Sequence, residues 1–132
     1  MIRFVNFLAF VFTFVSGLSF FLTRESKYKT VSCREFAEII RRPDMQLLDC
    51  RTDSEYVAGH IPGSILIDVK RSDFIELVDS LLCVEHPVAV YCRGGVRSRR
   101  AADTLTQKGF VVYNLDKGID CWIEEGHETT TE

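Results

Sequence analysis

Residues Val88 to Ser98 read VAVYCRGGVRS, and the fold turns on them. Val88 to Tyr91 is an apolar run with strand character, Cys92 to Arg97 is a short glycine-rich loop, and a helix-like stretch opens at Ser98. A strand that ends in such a loop and restarts as a helix aims several free backbone N–H groups at one point, where the helix dipole adds positive potential. Arg93 and Arg97 bring two full charges, and no acidic residue lies between His86 and Asp103. A cysteine in that field ionises more readily than a free one and acts as a nucleophile at neutral pH. Burial in a core is the ordinary fate of a cysteine. A core thiol, however, needs neither the backbone freedom of Gly94 and Gly95 nor paired cations. Arg99 and Arg100 read as solvated helix positions outside the site.

On either side of this segment, apolar runs alternate with amphipathic stretches, the signature of strand-helix-strand units and a mostly parallel sheet. Strands are expected at Tyr28 to Val31, Met45 to Asp49, Ser64 to Ile67, Val88 to Tyr91 and Val111 to Leu115. Helices are expected from a Ser32/Glu35 capping box to about Arg41, over Thr52 to Ala58, from a Ser72 cap to about Leu82, from Ser98 to Lys108, and over Ile119 to Glu125. The third of these would present Phe74, Leu77, Val78 and Leu81 on one face. Gly109 supplies the stop before the fifth strand.

The chain has 132 residues, 46% of them hydrophobic, which suits one domain. Phe4 to Leu22 stands apart, with seven of the ten phenylalanines and no charge. Residues 1–24 therefore read as a signal peptide, cleaved near Gly17 or Ser19, or as an uncleaved membrane anchor through residues 4–22. On either reading the remaining domain, residues 25–132, is expected outside the cytoplasm, periplasmic or secreted or held at a membrane. The five cysteines, Cys33, Cys50, Cys83, Cys92 and Cys121, form no CxxC pair and suit no local zinc knuckle. A disulfide such as Cys33 with Cys83 is conceivable in an oxidising compartment, but spacing chooses no pairing. The net charge of −3, with its one basic cluster at the loop, argues against nucleic-acid binding.

Three segments, in order, resemble the rhodanese (sulfurtransferase homology) family in its single-domain form. These are LLDCRTDSEYVAGHIPGSILI at Leu47 to Ile67, VYCRGGVRS at Val90 to Ser98, and YNLDKGIDCW at Tyr113 to Trp122. The resemblance implies an α/β fold with a parallel sheet of about five strands flanked by helices. It also implies that Cys92 is the sulfur-carrying nucleophile and that Arg93, Gly94, Gly95, Val96 and Arg97 form the substrate-binding loop. Two departures stand out. Cys50 occupies a place where the family usually has a small apolar residue, and Lys117 with Gly118 replaces a pair of glycines before the last helix. Neither is expected to touch the loop.

The implied chemistry is transfer of sulfane sulfur from thiosulfate, a persulfide or a polysulfide, through a Cys92 persulfide, to a thiol or cyanide acceptor. A protein sulfur acceptor is also conceivable, and no metal or organic cofactor is required. The four residues between Cys92 and Arg97 make a tighter loop than the one cysteine phosphatases share. A persulfide-relay or thiol redox protein and a noncatalytic interaction module are the alternatives. Asp49, Arg51, Glu55 and His60 read as structural, with an Arg51–Glu55 pair fixing a turn and His60 bonding nearby backbone, and Trp122 reads as core. If the fourth strand lies beside the second, as in the family, Cys50 ends near Cys92 and within reach of its persulfide.

Overall fold

The computed structural model describes residues 28–132. The leader or anchor expected over residues 1–24 lies outside the described residues, and among those described no helix is long and apolar enough to cross a membrane. Strands and helices alternate: β1 (Lys29–Val31), α1 (Cys33–Ile39), β2 (Gln46–Asp49), α2 (Asp53–Ala58), β3 (Ile65–Leu66), α3 (Phe74–Leu81), β4 (Val88–Tyr91), α4 (Val96–Gln107), β5 (Val112–Leu115) and α5 (Gly118–Glu124). The five strands form one sheet in the order β1-β5-β4-β2-β3, with every pair parallel. This is the α/β architecture expected from the sequence.

The sheet is covered on both faces, which is why its central strand β4 is apolar and buried at every position. Side chains alternate along each strand and sort into two cores. Leu48, Cys50, Val88, Val90 and Cys92 pack with Phe74, Val78, Ala101, Ala102 and Leu105 of α3 and α4. Leu47, Ala89 and Tyr91 pack with Phe36, Ile119 and Trp122 of α1 and α5. Cys50 and Cys92, each one residue past its strand, therefore face the same side.

Helix starts follow local chemistry, with two corrections to the expected caps. Ser32 accepts from the Glu35 amide at 3.2 Å, which is half of the anticipated capping box. The complete box belongs to Thr52 and Glu55 at the start of α2. Ser72 does not cap α3, because the turn ahead of that helix is closed by an Arg71–Asp73 fork at 2.8 and 2.9 Å. Leu81 is also not on the inner face of α3, being half exposed, and Leu82 fills the buried place instead. Helix α4 begins at Val96, inside the loop and two residues before the expected Ser98.

Candidate active site

The loop from Cys92 to Arg97 hangs between the end of β4 and the first turn of α4, at the carboxyl edge where open parallel sheets hold ligands. Its shape depends on Gly95, whose φ of +101° places it in the left-handed region. A Cβ there would stand 2.0 Å from the Asp116 carbonyl oxygen, whereas one on Gly94 would meet nothing within 4 Å. Gly95→Ala should therefore cost about 2 kcal/mol or more, while Gly94→Ala should stay within about 0.5 kcal/mol. Urea denaturation of the two variants checks the difference.

The start of α5 presses on the same loop. Ile119 N–H donates to the Cys92 carbonyl at 2.9 Å, and Asp120 N–H to that of Arg93 at 3.2 Å. Gly118, at φ +65°, permits this approach, since a Cβ would come within 2.5 Å of the Cys92 carbonyl oxygen. The expectation that the departures from the family pattern leave the loop untouched is wrong for Cys50, and the glycine retained beside Lys117 also matters to the loop. Gly118 abuts its backbone, and Cys50 reaches its sulfur.

Cys92 lies at the base of the loop, 1% exposed, beneath a rim formed by the exposed Arg93, Gly94 and Val96. The Gly95 amide donates to Sγ at 3.1 Å, and the Ser98 hydroxyl lies 3.4 Å away, also within 3.2 Å of the Gly95 carbonyl. The Cys50 thiol, buried behind it, donates to the Tyr91 carbonyl at 3.3 Å and sits beside the Cys92 sulfur. These donors favour the anion. The Cys50 thiol contributes most, burial opposes it, and the Ser98 hydroxyl and the Ser98 and Gly95 amides add to it, bringing the Cys92 thiol down from 9.0 to about 5. Conversely, the hydrogen bond to Cys92 and burial hold Cys50 protonated, well above the usual thiol range.

The arginines do not flank the sulfur as bare charges, which corrects the electrostatic picture drawn from sequence. Arg97 forks onto Glu55 at 2.7 and 2.8 Å. Glu55 also accepts from the Thr52 amide at 3.0 Å and its hydroxyl at 2.9 Å. Arg97 foremost, then Thr52, hold the Glu55 carboxyl far below the usual carboxylate range. Arg93 is mostly exposed and lies 3.7 Å from Asp120. Each guanidinium stands near a carboxylate, and the foremost support of the thiolate comes from hydrogen-bond donors.

The remaining candidates hold the scaffold. Arg51 pairs with Asp49, its nearest oxygens at 2.7 Å, and not with Glu55. The Tyr91 hydroxyl bonds Asp49 at 2.8 Å, lies 3.1 Å from the Ser64 hydroxyl, and accepts from the Ile61 amide at 3.1 Å. His60 bonds backbone as expected, its Nδ1 2.8 Å from the Tyr56 carbonyl, and Trp122 is core. All five cysteines are free thiols. Cys33 does not pair with the exposed Cys83; its sulfur sits within 4.8 Å of the Cys121 sulfur and a Glu125 oxygen. Ser98, Cys50 and Glu55 are the site residues that sequence reasoning missed or discounted. Ser98 had a signal, standing one helical turn past the glycines.

Comparison with known proteins agrees with this geometry. The rhodanese-like domain model matches residues 32–125. A thiosulfate sulfurtransferase GlpE from Coxiella burnetii is 31% identical over 107 residues, covering 80% of this chain and 94% of that protein. A tRNA uridine(34) hydroxylase from Acinetobacter baylyi is 38% identical over 98 residues, 70% of this chain, and the chain spans only 31% of its length. The crystal structure of a rhodanese-related protein from Thermoplasma volcanium superposes with a TM-score of 0.70 at 31% identity, covering 80% of this chain and all of that one. With the family model spanning well over half the chain and a sheet of the same architecture beneath it, the protein belongs to the rhodanese-like domain family.

Proposed function

We propose that the protein is a sulfurtransferase that carries sulfane sulfur as a persulfide on Cys92. The observation that carries this reading is the depressed Cys92 thiol, about 5, at the base of a loop whose Gly95 amide points at the sulfur from 3.1 Å. The Cys92 thiolate attacks the outer sulfur of thiosulfate, the S–S bond breaks, and sulfite leaves with its electron pair. The resulting persulfide keeps its negative charge on the terminal sulfur, where loop N–H groups stabilise it. An acceptor thiolate or cyanide then attacks that sulfur and regenerates the Cys92 thiolate. The thiosulfate sulfurtransferase activity named for the Coxiella relative supports this assignment.

Thiosulfate with cyanide should yield sulfite and thiocyanate in equal amounts with ping-pong kinetics, and alkylation of Cys92 should stop both. A protein that hydrolyses a phosphate ester under these conditions and releases no sulfite is a phosphatase instead. One that does neither, and keeps a bound partner after alkylation, is an interaction module.

The pairing of both loop arginines with carboxylates favours a second donor class. A thiosulfate dianion gains little from neutralised guanidinium groups, whereas a persulfide or polysulfide, small-molecule or protein-borne, asks less of them. Glu55→Gln, which leaves Arg97 unmatched, should raise kcat/KM for thiosulfate about fivefold, or roughly 1 kcal/mol of added attraction. Polysulfide should respond less, and steady-state kinetics with both donors checks the contrast. The uncharged apolar run at residues 4–22 supports a domain held outside the cytoplasm, secreted or anchored.

A further inference from the structure

Cys50 makes and breaks no bond in the transfer cycle, yet it is a second thiol set against the nucleophile. Strands β2 and β4 pair in parallel with Asp49 opposite Tyr91, so the next residues along, Cys50 and Cys92, stand side by side. The Cys50 amide continues the ladder, donating to the Tyr91 carbonyl at 3.0 Å. Both side chains enter the same apolar cluster. Adjacent strands run about 4.8 Å apart, inside the Cα separation of roughly 4.4–6.8 Å that a disulfide spans. Cys50 is fully buried, with its sulfur 3.3 Å from the carbonyl of Tyr91, the residue before Cys92. A purely structural residue at this place would need no sulfur, since alanine or valine also fills an apolar pocket.

We infer that Cys50 is a resolving thiol which, when no acceptor arrives, displaces the terminal sulfur of the Cys92 persulfide as hydrosulfide and closes a Cys50–Cys92 disulfide. The inference rests on the persulfide reading above. In the step, Cys50 Sγ attacks Cys92 Sγ and the bond from Cys92 to the terminal sulfur breaks. That sulfur leaves with the electron pair and takes the Cys50 proton. The two protein sulfurs are oxidised to the disulfide while the sulfane sulfur is reduced to sulfide, so no outside oxidant is needed. While Cys92 is a thiolate, Cys50 stays protonated and is merely a hydrogen-bond donor. Once sulfur is loaded, the negative charge moves one atom outward and the stored proton has a leaving group to go to. A dithiol reductant then reopens the disulfide. The protein would thus convert sulfane sulfur to sulfide at the cost of thiol reducing equivalents, with transfer to an acceptor as the competing route.

The test loads the reduced full-length protein with thiosulfate in the absence of acceptor and follows sulfite, sulfide and intact mass together. The wild type should release one sulfite and then one sulfide per chain. It should end two hydrogens lighter, with peptide mapping placing the new bond between Cys50 and Cys92, and regain transfer activity on treatment with dithiothreitol. Cys50→Ser should release sulfite but no sulfide and stop with one sulfur added on Cys92. Wild-type protein that releases sulfite and then holds a stable persulfide, or forms its disulfide elsewhere, overturns the resolving role and leaves the transferase reading standing. Absence of sulfite, with no sulfur gained from polysulfide either, overturns the transferase reading and this inference with it.

Discussion

Cys92→Ser should abolish sulfite release from thiosulfate, a loss of about 10⁴-fold or more, as expected when a covalent nucleophile is removed. The serine hydroxyl fits the same hydrogen-bond donors, yet it stays protonated at neutral pH and forms no persulfide. Every other part of the loop remains, so what is lost is chemistry and not architecture. Stability should show the sign of the change. Cys92 ionises at about 5 in the folded protein against 9.0 for a free thiol. A depressed acid of this kind contributes stability that is complete above the unfolded value and is lost as pH falls toward the folded one. The stability of the wild type relative to Cys92→Ser should therefore grow between pH 5 and pH 9 and level off beyond. Urea midpoints of both proteins across that window measure it.

The second large effect is expected at a residue that touches no substrate. The Cys50 hydrogen bond is the foremost cause of the Cys92 depression, and burial opposes it. Cys50→Ala deletes the donor and leaves the burial, so the Cys92 thiol must rise. A rise of two units would cut its alkylation rate at pH 6 about tenfold, because the thiolate is the reactive form. Cys50→Ser keeps a donor at the same position and should restore much of the rate. Initial rates with iodoacetamide, with the modified site mapped, distinguish the variants. Equal rates in all three proteins would mean that the loop amides and Ser98 alone hold the anion.

The sheet was legible because its inner strands β2, β4 and β5 are largely buried and stand out as apolar runs of the right length, while turns such as that at Gly109 punctuate them. The position of Cys92 was legible for a related reason: two glycines and two arginines within five residues of a cysteine that ends an apolar run mark a strand-loop-helix junction. What escaped was mostly pairing across the fold. Arg51 and Glu55 sit four apart and invite a local pair, but the bend after β2 turns Arg51 back onto Asp49, whose carboxylate takes both its amide and its guanidinium. That leaves Glu55 free to take Arg97, 42 positions along the chain. No local pattern could show that this carboxylate neutralises the loop. The adjacency of Cys50 and Cys92 could be read only conditionally, because it requires β2 and β4 to be neighbours, a choice of strand order. Gly118 escaped likewise, since its constraint is a carbonyl of a distant segment.

Ultraviolet absorbance of thiolate followed against pH in the reduced protein shows whether Cys92 rests as a thiolate. Cys33, raised to about 12, Cys50 and Cys121 all ionise above the usual thiol range and do not interfere. One thiol should ionise with a midpoint near 5, and that ionisation should be lost in Cys92→Ser. A first ionisation no lower than the free-thiol value of about 8.5 would contradict it.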